Sequence, residues 1–569
     1  MALNLQPGQP SAWLQVASLA GLVLSVVYGR NTAQAVWRGW LFATVWLAGT
    51  FWWLFVSMHI YGGLAAWLAV VAVVALAAAL ALPYAVATGL LHRGAPASRV
   101  AQGLLFAALW TLAELVRGHW FTGFPWGAGG YAQVDAMRAW APWVGVYGMG
   151  FLAALLAFAL AALFSAAWAV VCTVLLPPVA RPSQRRGRRS GAAGAATTAA
   201  GILRGTAAAG GLAALLWTLG PGAERWQMLG LQATSDAGPM RVWLLQGNIA
   251  QDEKFEPGTG MAQALAWYPA QIAEALQRAQ QGGVDAPQLV VAPETAVPLL
   301  PQQLNADFWT PMMRALSAQD TRGGVAVMLG LPLGSFSGGY TNSVWGIDPS
   351  AAARATQGLL QERLPAGWET RGGTDDGLYR YDKHHLVPFG EFIPPLFRWF
   401  TDLMNIPLGD FNRGPLPQPP WSWAGQRIAP NICYEDLFGE ELAASFRDGD
   451  NAPTVLVNLS NIGWFGDTVA IDQHLHISRL RAMELGRPML RATNTGATAA
   501  IDPEGRVLAL LPRLTRDRLE VSVQGRSGLT PYARWASRWG QGPVWALCLV
   551  LANAMLLWRL RARRRRSAP

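Results

Sequence analysis

Three polar residues stand where apolar runs end, and their types are the parts of a nucleophilic acyl-transfer site. Cys433 closes the run 428–433 and is followed by Tyr434 and Glu435. Glu294 follows Val290-Val-Ala-Pro293, and Lys383 lies in Tyr381-Asp-Lys-His-His-Leu-Val-Pro-Phe-Gly-Glu391. A thiol with a pKa near 8.5 is mostly protonated at neutral pH, so it needs a base or a neighbouring cation to become an effective nucleophile. The chain has three cysteines, and Cys172 and Cys548 fall inside apolar stretches, which leaves Cys433 as the one cysteine of the polar portion. No zinc spacing is present, and a disulfide framework is not expected. His384 and His385 do not suggest a metal, because adjacent residues on a strand point to opposite faces. Asn342 reads as a turn residue.

Rigid elements must hold such groups, and strand ends are a recurrent place for them. The segments 241–246, 288–292, 325–330, 428–433 and 454–459 read as short, mostly buried strands. Helical segments such as 261–281 and 470–486 run between them, and 497–511 reads as two strands joined by a turn at 502–505. The pattern is that of a layered α/β domain.

The rest of the chain belongs to another solvent. Of 569 residues, 52% are hydrophobic and 14% charged, against roughly 25% charged in an ordinary soluble domain. The 28 tryptophans suit membrane interfaces as well as cores. Much of the net charge of +10 sits in the runs 181–189 and 559–566 beside apolar stretches. That placement marks topology and argues against nucleic acid as a partner. Spanning a bilayer takes about 20 predominantly apolar residues. The stretches 12–28, 37–59, 64–91, 100–118, 143–176, 203–220 and 541–560 give seven expected spans. The first lacks a basic start and a small-residue cleavage site, so it reads as a retained span rather than a signal.

The expected division is a transmembrane region over 1–220, a catalytic domain over 221–540 with its core at about 240–525, a transmembrane helix at 541–560 and a basic tail at 561–569. Arg30 and Arg38, then His92, Arg93 and Arg99, then 181–189 with Arg204, then the tail fall consistently on alternate sides of the spans. All can therefore be cytoplasmic, with 221–540 on the opposite face. The aromatic loop 119–142 falls on that outer face and suits the headgroup layer. Just before it, Glu114 and Arg117 lie one helical turn apart. An ion pair and a contact with a lipid headgroup are both open for them.

Eight stretches, in order, carry a resemblance that runs from about residue 35 to 560. They are Phe121-Thr-Gly-Phe-Pro-Trp126, Leu245-Gln-Gly-Asn248, Pro293-Glu-Thr-Ala296, the 381–391 segment, Arg413-Gly-Pro415, Ile432-Cys-Tyr-Glu435, Arg491-Ala-Thr-Asn-Thr-Gly496 and Gly528-Leu-Thr-Pro-Tyr-Ala533. The soluble part resembles the nitrilase superfamily, whose members use a Glu-Lys-Cys triad. Joined to the spans, it resembles the apolipoprotein N-acyltransferase family of bacterial inner membranes. The resemblance implies a multi-pass helical membrane domain with an αββα sandwich on the periplasmic side. It implies Cys433 as nucleophile, Glu294 as base, and Lys383 stabilising thiolate and oxyanion. Glu391 would support Lys383, the backbone N–H of Tyr434 would serve the oxyanion, and Glu435 would be a structural support. Trp464 and Phe465 are candidates to line an acyl groove.

The implied reaction has two steps. An acyl chain passes from a phospholipid to Cys433, and then to the α-amine of an apolipoprotein's diacylglyceryl-cysteine. No metal or organic cofactor is called for, and a monomer is expected. Two departures stand out: Ile462 and Gly463 replace an Asp-Ala pair usual in the family, and Phe255 stands where a tryptophan is frequent. The family typically has eight spans against the seven counted. A membrane-anchored amidase acting on a small amide is the alternative, although it would need only one anchor. A transporter would need paired charges deep in the spans, and apart from Glu114 and Arg117 almost none are seen. Segments 250–262 and 360–380 are candidates for a mobile lid.

Overall fold

The computed structural model describes residues 10–175, 220, 222–283, 285–335, 337–359, 378–393 and 411–567. Among these, four helices are long and apolar enough to cross a membrane, or five if a bent pair counts as one span. In chain order the apolar helices are α1 (Ala12–Val27), α2 (Thr32–Thr50), α3 (Ala66–Gly94), α4 (Arg99–His119) and α5 (Ala141–Leu175). Side-chain caps start two of them: Asn31 accepts from the N–H of Gln34, and Ser98 from that of Ala101. The expected span 203–220 apart from its last residue, the basic run 181–189 and most of the candidate lid 360–380 lie outside the described residues.

The expected span at 37–59 is broken in its middle. Its helix stops at Thr50, and the segment Leu54–Tyr61 leaves it at 64°. The physical reason is a partner for the freed backbone. The Thr50 carbonyl has left the helical ladder and accepts from Gln473 Nε2 at 3.0 Å and from Trp53 Nε1 at 3.1 Å. Broken backbone at membrane depth is tolerated where protein groups satisfy it in this way. A second break, at Gly145 (φ 64°), interrupts α5, and the N–H of Val146 is taken up by Glu484 Oε1 at 2.7 Å.

Beyond the membrane helices lie two six-stranded sheets. The first consists of β1 (Thr234–Gln246), β2 (Leu289–Val291), β3 (Ala326–Ser335), β4 (Gly339–Ile347), β5 (Tyr379–Asp382) and β12 (Asp517–Gly528), ordered β12-β1-β2-β3-β4-β5. The second holds β6 (Trp421–Trp423), β7 (Gln426–Ile432), β8 (Val455–Ser460), β9 (Met489–Thr493), β10 (Ala499–Ile501) and β11 (Val507–Leu510), ordered β11-β10-β9-β8-β7-β6. In each sheet the central three strands are parallel. Covered on both faces, they carry continuous apolar runs instead of alternation. One core fills the space between the sheets, with Val242, Val291, Ile428 and Val457 among its members.

Helices cover both outer faces, as the αββα pattern requires. On the first sheet pack α6 (Gly260–Gln280) and α7 (Ala306–Ser317), which bury Ile272, Trp309 and Met313 over Val290 and Leu329. On the second packs α8 (Val469–Leu485), wedged between that sheet and the membrane helices. Because α8 is buried nearly all round, its polar side chains need partners. Arg481 pairs with Glu484 at 2.8 Å inside it. The last helix, α9 (Gly542–Ser567), returns to the apolar bundle.

Candidate active site

Strand ends place the predicted residues together. Glu294 follows β2, Lys383 follows β5 and Cys433 follows β7. Strands β3, β4 and β5 run antiparallel in turn, so the end of β5 lies at the same sheet edge as the ends of β2 and β3. The two sheets thus bring carboxylate and ammonium from one side and the thiol from the other. Lys383 Nζ lies 3.2 Å from Glu294 Oε1 and 2.8 Å from Glu391 Oε1. All three residues are nearly sealed, at 1%, 7% and 8% exposure respectively. Backbone strain gathers at the same place. Thr295 beside Glu294, Phe389 near Glu391 and Cys433 itself have φ of 53°, 64° and 49°, in the left-handed region that non-glycine residues rarely occupy.

Burial alone would raise the pKa of Glu294, yet the Lys383 ammonium and a hydrogen bond from Asn342 hold it below the usual carboxylate range. Burial would lower Lys383, but Glu294 and Glu391 more than reverse that, so it stays an ammonium. The Cys433 thiol is pushed up to about 12, first by burial and then by the charge of Glu294, with Lys383 opposing. The resting cluster is therefore a neutral thiol near an ionised carboxylate and an ammonium. Such a set can activate a thiol at the moment of attack, and it holds a fixed cation for a developing oxyanion.

The supporting residues differ in what they touch. Glu435 accepts from the N–H groups of Ile432 (2.6 Å), His384 (2.7 Å) and His385 (3.2 Å), and from the Tyr381 hydroxyl (2.8 Å). It ties the turn bearing Cys433 to the segment bearing Lys383, and burial pushes its pKa up to about 7. Tyr434 donates its hydroxyl to the Gly123 carbonyl at 2.9 Å, fastening the aromatic loop to the same turn. His384 and His385 lie in a bend after β5 and not on a strand as expected. His384 Nδ1 faces the Gly414 carbonyl at 2.8 Å, and the His385 ring stacks on Phe438.

Glu114 and Arg117 are fully buried. Glu114 accepts from the N–H of Gly129 at 2.9 Å, and Arg117 donates to Tyr84 Oη and to the carbonyls of Phe124 and Trp126. They hold the loop 119–134 in shape, and the two side chains do not form an ion pair with each other. Within the loop, Trp120 and Phe121 stay exposed while Trp126 packs inward.

A cavity of about 1040 Å³ begins at Cys433, Glu294, Lys383, Glu391 and Asn342. It continues between Trp53, Met58 and Tyr61 of the broken span and Leu68, Val71, Ala72 and Ala75 of α3. Trp464 and Phe465 line it: the Trp464 ring stands edge-on to Tyr61 at 5.8 Å, and Phe465 packs on Trp53 at 4.2 Å. Ile462 is buried in the same wall, and Phe255 reaches it half-exposed.

Sequence reasoning missed three groups here. Asn342 is not in a turn but in β4, where its Nδ2 donates to Glu294 Oε1 and Glu391 Oε1, both at 2.7 Å. An amide flanked by buried apolar residues in a strand was the available signal. Lys254, inside a segment read as a candidate mobile lid, is buried and donates to the Glu294 carbonyl at 3.1 Å. Burial brings its pKa down to about 8. Asn461 donates its backbone N–H to Glu294 Oε2 at 2.8 Å, and its side chain bonds Gln251 at 2.7 Å. The 250–262 segment is thus anchored at the site through Gln251 and Lys254.

Comparison with known proteins follows the same division of the chain. A family profile described as "Apolipoprotein N-acyltransferase N-terminal domain" matches residues 1–159, and one described as "Carbon-nitrogen hydrolase" matches 259–532. A protein of Verminephrobacter eiseniae named apolipoprotein N-acyltransferase is 48% identical over 99% of this chain and 94% of its own. Proteins of the same name from Ralstonia nicotianae and Bordetella bronchiseptica are 42% and 40% identical, covering 98% and 94% of this chain and 90% and 92% of theirs.

Proposed function

Since the chain belongs to the apolipoprotein N-acyltransferase family, we propose that it moves an acyl chain from a membrane phospholipid, through a thioester on Cys433, to the N-terminal amine of an apolipoprotein's diacylglyceryl-cysteine. One observation carries this reading: the thiol, carboxylate and ammonium open into a cavity walled by apolar membrane helices. An amidase for small amides has no use for such a wall.

In the first half-reaction Glu294 takes the thiol proton as Cys433 Sγ attacks the ester carbonyl. Lys383, held between two carboxylates, faces the oxyanion, and the backbone N–H of Tyr434 adds a second donor. Collapse of the intermediate expels the lysophospholipid alkoxide, which Glu294 protonates, and leaves the thioester. In the second half the neutral amine attacks the thioester carbonyl and Glu294 receives its proton. The thiolate then leaves as the amide forms and takes the proton back from Glu294, restoring the thiol. Covalent storage lets two bulky lipids use one cavity in turn. Trp464 and Phe465 would flank the acyl chain, and Glu391 and Asn342 would hold Lys383 and Glu294 at their spacing.

The working unit we propose is a monomer. The placement we propose is the bacterial inner membrane, with residues 1–220 and 541–560 in the bilayer and 221–540 on the periplasmic face. Arg559 donates to the Arg93 carbonyl at the far end of α3 from the cavity, in keeping with a cytoplasmic side there.

The test is intact mass after incubation with phospholipid, wild type beside Cys433→Ala. An acyl mass on wild type alone, released by hydroxylamine, is expected. A folded wild type that takes no acyl group in a matched lipid would sink the proposal.

A further inference from the structure

Behind Cys433 lies a buried polar network that the chemistry above does not use. Arg491 Nη2 donates to His474 Nδ1 at 3.0 Å, so Nδ1 is the acceptor and the ring hydrogen sits on Nε2. Nε2 in turn lies 2.9 Å from Asp436 Oδ1 and 3.2 Å from the Cys433 carbonyl. Asn458 Nδ2 reaches the same carbonyl at 3.2 Å. Ser478 closes the network against Asp436 and Arg491. Two donors thus pin the carbonyl of a residue whose φ is 49°. Without them the turn has reason to relax toward ordinary backbone angles and re-aim the thiol.

The preceding residue faces the membrane helices. Gln473 Oε1 accepts from the indole N–H of Trp53 at 3.0 Å and of Trp126 at 2.7 Å, while its Nε2 donates to the carbonyl at which α2 ends. Both tryptophans line the cavity, and Trp126 also stacks on the His474 ring. We propose that Gln473 and His474 are a pair of positioning residues. His474 holds the nucleophile turn, Gln473 holds the wall of the acyl cavity, and their adjacency on α8 fixes thiol and wall in one register. This rests on the acyl-transfer reading above.

The experiment follows the acyl adduct on full-length protein by intact mass, in dodecyl maltoside micelles holding graded fractions of phosphatidylethanolamine, with thermal melts in parallel. His474→Leu is expected to lower the maximal acylation rate by roughly 10²-fold, as for a nucleophile displaced by about 1 Å, with little change in the half-saturating lipid fraction. His474→Gln, whose amide nitrogen can reach the same carbonyl, is expected to recover most of that loss. Gln473→Met is expected to raise the half-saturating fraction more than it lowers the maximal rate. The inference is overturned by His474→Leu acylating at the wild-type rate. It is equally overturned by His474→Gln melting like wild type yet running no faster than His474→Leu, or by Gln473→Met changing only the maximal rate. Wild type taking no acyl group overturns the acyl-transfer reading, and this one with it.

Discussion

Asn342 bonds both carboxylates of the site with one amide nitrogen, and that has a consequence in pH. A hydrogen bond to the charged form lowers a carboxyl pKa, so its loss raises it. Glu294 starts below the ordinary range, and the base form is lost only as pH falls through that low value. In Asn342→Leu the acid limb of the acylation rate is therefore expected to move to higher pH. At neutral pH the rate should drop about 10- to 100-fold, the worth of a hydrogen bond to a charged group. Rates from adduct mass across a pH series check both, and an unmoved acid limb would refute the role of the amide. That Cys433, Glu294 and Lys383 belong together was legible in sequence because each sits in its own distinctive stretch, as in Ile432-Cys-Tyr-Glu435, and the three line one cavity. Asn342 was not, because it enters the site only when β4 pairs with β3 and β5. Lys254 was hidden by its neighbours Asp252 and Glu253, which give the segment the look of a solvated loop.

At the scale of elements, β3 passes close behind the turn that carries Glu294. A Cβ on Gly330 would lie 2.3 Å from the Pro293 carbonyl oxygen and 2.8 Å from Glu294 Cα. Both are backbone atoms, so no side chain can swing aside. Gly330→Ala is expected to cost about 1–3 kcal/mol of stability by overpacking and to push Glu294 off its contact with Lys383. A lowered melting temperature together with a loss of acylation larger than the loss of folded protein would bear this out; wild-type values of both would refute it. The strands around the site were readable as apolar runs bounded by turns, and 428–433 and 454–459 match β7 and β8 to within a residue or two. The break after Thr50 was not readable. The sequence 37–59 is predominantly apolar, and besides nearby Trp53 the group that satisfies the freed carbonyl is Gln473, more than four hundred positions away. Local hydrophobicity shows that a segment can lie in lipid; it does not show which distant side chain bends it.

Taken whole, the molecule sets a reactive sheet edge over a channel cut between membrane helices, and α3 is the outer wall of that channel. Ala75 faces into it. Ala75→Trp is expected to shift donor preference toward shorter acyl chains. Excluding two methylenes costs about 1.6 kcal/mol, a change of roughly tenfold in preference. Competition between long- and short-chain phospholipids, read as the ratio of adduct masses, measures it, and an unchanged ratio would place the chain elsewhere. Helix α3 has only 28% of its apolar window buried within the protein. Its buried residues Ala69, Val73 and Ala77 form one stripe, while Val70 and Val74 face outward. A wall so thin brings the cavity within one helix of the surrounding lipid. On the proposed reading the phospholipid donor would then arrive by sliding in the plane of the bilayer rather than by diffusing through water. What governs the rate would accordingly be its mole fraction among neighbouring lipids. Thinning it with inert amphiphile at constant bulk amount is expected to slow acylation, and adding buffer is not.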